Sequence, residues 1–132
     1  MKIIDRLNED RINISFEVFP PKTKAGFDSV IKAVDEIAML EPAFISVTYG
    51  AGGGTSSNTV HIASHIKHDL QVESLAHLTC VSSTKEQVHE MISTLKEEGI
   101  ENILALRGDI PKETEFPIAG RYRYACELIR EI

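Results

Sequence analysis

Four strand-like apolar runs in this chain each end on a polar residue, and the ends recur at nearly constant intervals. Glu17, Thr48, His77 and Arg107 are separated by 31, 29 and 30 residues (48−17, 77−48, 107−77). A helical pattern follows each run, so the chain repeats a strand–helix unit four times. Such alternation predicts a parallel sheet with right-handed crossovers. The first run shows how a unit begins. Ile12, Ile14, Phe16 and Val18 alternate with Asn13, Ser15 and Glu17, and Pro20-Pro21 stops the strand. Glu17 therefore stands at the C-terminal end of the first strand, on the face opposite Phe16 and Val18.

The remaining units follow in order. Phe27, Val30, Ile31, Val34, Ile37 and Ala38 recur at helical spacing, and that helix ends near Leu40, before Pro42. Phe44–Thr48 is the second strand, and the glycine-rich Tyr49–Ser57 leads into a helix carrying Val60, Ile62, Ala63 and Ile66. Val72–Thr79 is the third strand. Ser83-Thr84-Lys85-Glu86 has the capping-box pattern, with Ser83 and Glu86 as the reciprocal pair. The helix after it buries Val88, Met91, Ile92 and Leu95, with Gly99 suited to the turn beyond. Asn102–Leu106 is the fourth strand. A polar loop leads to a last helix with Tyr124, Ala125, Leu128, Ile129 and Ile132 on one side. Ahead of all this, Ile3, Ile4 and Leu7 predict a short helix packed under the first strand.

A regular unit of this size suits a (β/α)8 barrel better than an open doubly wound sheet, and chemistry in such barrels gathers at the C-terminal ends of the strands. A full barrel takes about 250 residues. The fold class expected is α/β, with parallel (β/α) units forming half of a (β/α)8 TIM barrel. The helical pattern still running at Glu131-Ile132 favours a fragment. The net charge of −6 argues against a nucleic-acid partner. No apolar run is long enough for a membrane helix. The two cysteines, Cys80 and Cys126, form no C-x-x-C and read as reduced thiols in a cytoplasmic protein.

Several residues invite a functional reading, each beside a plainer one. A carboxylate at Glu17 is costly unless paired, with Arg107 as a candidate partner, or used as an acid. The loop Thr48–Ser56 opens a helix, as phosphate-binding loops do, but matches neither G-x-G-x-x-G nor a P-loop. His77 is either a hydrogen-bonded core histidine or part of the strand-end series. His61 and His65 are four apart on a helix, a metal-like spacing that no carboxylate or cysteine completes; no metal is expected. Arg107-Gly108-Asp109 offers a cation, a turn and a carboxylate. Arg121 and Arg123 read as solvated.

Four stretches taken together resemble the methylenetetrahydrofolate reductase family: Phe16–Lys22, Ser46–Gly53, His77–Cys80 and Leu104–Pro111. The resemblance implies a catalytic barrel that binds FAD and uses NADH or NADPH to reduce 5,10-methylenetetrahydrofolate to 5-methyltetrahydrofolate, in one-carbon and methionine metabolism. It implies that Glu17 is the general acid toward the folate nitrogen, and that Asp109 is a carboxylate near flavin and pterin. Thr48, Tyr49, Ala51, His77, Arg107, Gly108, Asp109, Tyr124 and Ala125 match flavin contacts. Gly54-Thr55-Ser56-Ser57 departs from the Ser-Thr-Arg-Asp common in the family and lacks its basic residue. The resemblance places residues 1–132 at the first four units of the barrel, with the second half absent. A chain of this length is expected to bind FAD poorly and to turn over no substrate by itself. The competing expectation is a non-catalytic half-barrel that self-associates as a homo-oligomer.

Overall fold

The computed structural model describes residues 1–49, 56–110 and 112–132, without the side chain of Lys24. Nine elements follow in order: α1 (Ile3–Leu7), β1 (Ser15–Val18), α2 (Lys24–Ala38), β2 (Phe44–Val47), α3 (Ser56–His68), β3 (Ser74–Thr79), α4 (Lys85–Glu97), β4 (Asn102–Leu106) and α5 (Ala125–Ile129). The four strands form one parallel sheet in the order β1-β2-β3-β4. In register, Phe16 lies beside Ile45, Ile45 beside Ser74, and Ala76 beside Ile103.

That order decides between the two architectures. Right-handed crossovers that always step in one direction put every helix on the same side of the sheet. A doubly wound sheet must reverse direction to cover both sides, and this one does not reverse. The fold is α/β with parallel units, consistent with part of a TIM barrel, and the sheet is not closed.

Core residues confirm the sidedness. Val18, Ile45, Val47 and Ala76 point to one face and pack on Val34 of α2, Ile62, Ala63 and Ile66 of α3, and Leu95 of α4. Each buried Val, Leu or Ile among them stabilises by about 1.5–3 kcal/mol. A second cluster joins Leu78 and Cys80 to Val88, Tyr122 and Leu128. The register puts Ser15, Glu17, Ser46, Leu75, His77, Leu104 and Leu106 on the other face. There Leu104 and Leu106 are 39% and 36% exposed, and no helix covers them among the described residues.

Three details differ from the sequence reading. The capping box of α4 is Thr84 with Gln87, one residue beyond the Ser83–Glu86 pair. Ser83 is buried instead, its hydroxyl 3.3 Å from that of Tyr49. Helix α5 is short, and only Leu128 of its expected apolar side is buried; Ile129 and Ile132 are exposed. Helix α1 exists, but of Ile3, Ile4 and Leu7 only Ile3 is buried. It docks by hydrogen bonds to the start of β4: the Ile3 amide donates to Asn102 Oδ1 (2.9 Å), and Asn102 Nδ2 donates to the Met1 carbonyl (3.1 Å).

Candidate active site

Parallel pairing brings the C-terminal ends of all four strands to one rim. Glu17 is the penultimate residue of β1, Thr48 follows β2, His77 lies two residues before the end of β3, and Arg107 follows β4.

Three side chains meet on the uncovered face. Ser46 pairs with Glu17 in the β1–β2 register and is itself buried. Its hydroxyl donates to Glu17 Oε2 at 3.4 Å. His77 Nε2 approaches the same oxygen at 3.5 Å. The partner of Glu17 is thus His77, not Arg107, whose Nε donates to the carbonyl of its own neighbour Gly108 (3.1 Å). Sequence reasoning missed Ser46. The available signal was its position, two residues before Thr48, on the same face as Glu17.

Burial pushes the His77 imidazole below its usual range, and the Glu17 carboxylate, pulling the other way, does not cancel it. His77 is therefore neutral near pH 7, with one N–H donor and one lone pair. A half-exposed carboxyl, an imidazole and a hydroxyl thus converge on the uncovered sheet face, within reach of a ligand lying there.

The remaining candidates that the structure describes make no hydrogen bond or ion pair with Glu17. Thr48 is fixed by its backbone: its amide donates to the Val18 carbonyl (3.0 Å), and Thr59 Oγ1 donates to its carbonyl (3.0 Å). Tyr49 packs against the Leu78 cluster. Ala51 lies outside the described residues, as do the glycines around it. The turn after β4 is tied to β3, because the Cys80 amide donates to the Leu106 carbonyl and the Val81 amide to the Arg107 carbonyl. Gly108 has φ +82° there. Asp109 is exposed. Tyr124 stands at the N-cap position of α5, just ahead of Ala125, without a side-chain capping bond, and its ring meets Phe116 edge-on at 5.9 Å. No hydrogen bond or ion pair links Arg107, Asp109 or Tyr124 to Glu17 among the described residues. Arg121 is half-buried rather than free in solvent, and its Nη1 donates to the Val81 carbonyl at 2.9 Å.

The His61–His65 pair is also different from expectation. His65 sits between two carboxylates, Nε2 at 2.7 Å from Asp35 of α2 and Nδ1 at 2.7 Å from Asp69. His61 instead sets its ring against Phe27. Among the described residues no group of three or more His, Cys, Asp or Glu side chains is disposed to hold a metal. Both hydrogen bonds of His65 require both ring nitrogens to carry hydrogen, which is the imidazolium. Burial opposes that charge, but the hydrogen bonds to Asp35 and Asp69 outweigh it, so the pKa is raised. The sign follows: this clamp between α2 and α3 contributes fully below the unfolded value of about 6.5 and is lost as pH rises through the folded one. His77 works oppositely, being destabilised as pH falls through its lowered pKa. Urea unfolding of wild type and His65→Gln between about pH 6 and 8 separates the two. The gap between the curves should shrink as pH rises; a constant gap would show that the clamp does not titrate.

A one-way α/β sheet with polar side chains gathered on its C-terminal rim is an arrangement shared with (β/α)8 barrels. A family model described as methylenetetrahydrofolate reductase matches residues 2–132. A probable methylenetetrahydrofolate reductase (NADH) of Oryza sativa subsp. japonica is 37% identical over all of this chain, which covers 23% of that protein. A 5,10-methylenetetrahydrofolate reductase of Pectobacterium carotovorum subsp. carotovorum is 40% identical over 92% of this chain and 39% of its own length, and that of Escherichia coli is 36% identical over 92% and 40%. The chain belongs to the methylenetetrahydrofolate reductase family. It spans well under half the length of these relatives.

Proposed function

We propose that this chain supplies the first four βα units of a methylenetetrahydrofolate reductase barrel, and that the complete barrel reduces 5,10-methylenetetrahydrofolate to 5-methyltetrahydrofolate with FAD and NADH or NADPH. The observation that carries this is the contact of Glu17 with His77 and Ser46 on the uncovered rim face, in a chain of this family. When bound, the flavin would supply the hydride. Glu17, on the open face, is the residue we assign as the acid toward the folate nitrogen as the imidazolidine ring opens. Neutral His77 keeps that carboxyl from being locked into a strong ion pair, and Ser46 fixes one of its oxygens.

The described rim residues fit a phosphate-bearing flavin. Arg107 presents an exposed guanidinium that no carboxylate neutralises among the described residues, as a phosphate would require. Thr48, Tyr49, His77, Gly108, Asp109, Tyr124 and Ala125 are the further residues we assign to that contact, with Ala51. The free thiols of Cys80 and Cys126 suit a cytoplasmic protein.

Among the described residues nothing covers Leu104 and Leu106 or pairs with the outer edges of β1 and β4. We assign that cover to further βα units, so residues 1–132 alone should hold little flavin. A second copy is the alternative cover, and the same exposed leucines favour it. Purifying residues 1–132 and the product of the full reading frame, then recording visible spectra, sizes and menadione-coupled NADH oxidation, tests the reading. A flavin-bound, active full product beside a colourless 132-residue piece is expected. A full product without flavin or folate reduction would overturn it.

A further inference from the structure

Strand β2 leaves the sheet beside the double proline, and there the ladder runs out of donors. In a parallel pair, a residue that donates to its neighbour strand accepts from the residue two places further along that strand. The Thr48 amide donates to the Val18 carbonyl (3.0 Å), so the donor due at the Thr48 carbonyl is the amide of Pro20. Proline has no N–H. A hydroxyl takes its place: Thr59 Oγ1, near the start of α3, donates to the Thr48 carbonyl at 3.0 Å. Thr59 is 1% exposed, so this bond is shielded from water. The same helix start is tied to the prolines, because Asn58 Nδ2 donates to the Pro21 carbonyl (3.1 Å).

The next residue is held from another side. Tyr49 packs against the Leu78 cluster, and its hydroxyl lies 3.3 Å from that of Ser83. Ser83 is buried. It is free for this contact because the capping box of α4 begins one residue later, at Thr84. Thr48 and Tyr49 are thus gripped by β1, α3 and the turn before α4, three elements far apart in sequence.

We propose that Thr59 and Ser83 are positioning residues for flavin binding, fixing Thr48 and Tyr49 before the cofactor arrives. This rests on the assignment of Thr48 and Tyr49 to the flavin. Its physical content is preorganisation: a segment already ordered in the free protein loses little freedom on binding, so more of its contact energy appears as affinity. Without the Thr59 hydroxyl, the Thr48 carbonyl has no donor among the described residues. The chain leaving β2 must then turn to find one, because a buried carbonyl left unpaired is costly.

FAD titration of the flavin-free protein from the full reading frame, followed by quenching of flavin fluorescence, tests this. Thr59→Val keeps the branched shape and removes the hydroxyl, whereas Thr59→Ser keeps the hydroxyl. Thr59→Val should weaken FAD about three- to tenfold, the factor of one net hydrogen bond, and Thr59→Ser should stay within about twofold of wild type. Ser83→Ala and Tyr49→Phe delete one hydrogen bond from its two sides. Each should weaken FAD by a similar factor, and the double variant by no more than either alone. Hydrogen exchange without flavin gives a reading that needs no cofactor: in Thr59→Val the Thr48 and Tyr49 amides should exchange faster relative to that of Ile45, deeper in the same strand. Unchanged FAD affinity in Thr59→Val, or exchange that rises equally along β2, would leave Thr59 a purely structural role and overturn the inference. Additive losses in Ser83→Ala and Tyr49→Phe would overturn it for Ser83. A wild-type protein that takes up no flavin would instead overturn the assignment beneath it, and the inference with it.

Discussion

Glu17→Gln in the protein from its full reading frame should lower methylenetetrahydrofolate reduction by about 10²–10⁴-fold, the usual contribution of a general acid, while menadione-coupled NADH oxidation stays near wild type. The amide keeps the shape of the carboxyl and can still accept from the Ser46 hydroxyl, now 3.4 Å from Oε2. What it loses is the transferable proton. Menadione needs no ring-opening acid, so that reaction reports cofactor binding and hydride supply without Glu17. The two rates should therefore separate. If both fall together, Glu17 serves cofactor binding or folding. If neither falls beyond about threefold, well below the general-acid range, the proton comes from elsewhere. His77→Asn should lower folate reduction less, since His77 touches Glu17 and not the nitrogen being protonated.

The βα rhythm was legible because its causes are local. Period-2 runs such as Ile14-Ser15-Phe16-Glu17-Val18 and helical-period runs such as Val60, Ile62, Ala63 and Ile66 need no knowledge of distant residues. Strand order follows once crossovers are right-handed. What stayed hidden depends on contacts far apart in sequence. Ser83 and Thr84 both fit the start of a capping box. The choice falls on Thr84, with Ser83 turned toward Tyr49, 34 residues away. His65 meets Asp35 across 30 residues, and Arg121 meets the Val81 carbonyl across 40. Asp69 was within local reach, at i+4 from His65, and was overlooked. Ile129 and Ile132 show the limit of periodicity, since an apolar pattern does not specify what will cover it.

The candidate site divides along the same line. Glu17 and His77 were placed at the rim by strand ends alone. Their contact, 60 residues apart (77−17), needed the parallel register and the shared face. The pairing expected from charge, Glu17 with Arg107, would have joined β1 to β4 across two intervening strands. In the observed order those strands are opposite edges of the sheet, while His77 comes from β3, two strands from β1, with Ser46 of β2 between them.

Gly108→Val should destabilise the fold by about 2–6 kcal/mol, combining a left-handed backbone strain of about 1–3 with overpacking of a similar size. Gly120→Val should cost only the first part. The two glycines have nearly the same backbone, φ +82° and +73°. They differ in what a side chain would meet. A Cβ at Gly108 comes within 3.1 Å of Thr79 Cβ and 3.3 Å of Val81 Cγ1, whereas a Cβ at Gly120 meets nothing within 4 Å. The close approach has a purpose in the geometry: the chain leaving β4 folds tightly over the end of β3, which sets Arg107 and Asp109 at the C-terminal rim of the sheet. Denaturant unfolding of both variants, with the midpoint shift converted through a common slope, gives the difference directly. Equal losses would mean that Thr79 and Val81 move aside freely and that the turn after β4 is not held by packing on β3. A larger loss at Gly108, accompanied by weaker flavin retention in the full-length protein, would tie that packing to the placement of Arg107 and Asp109.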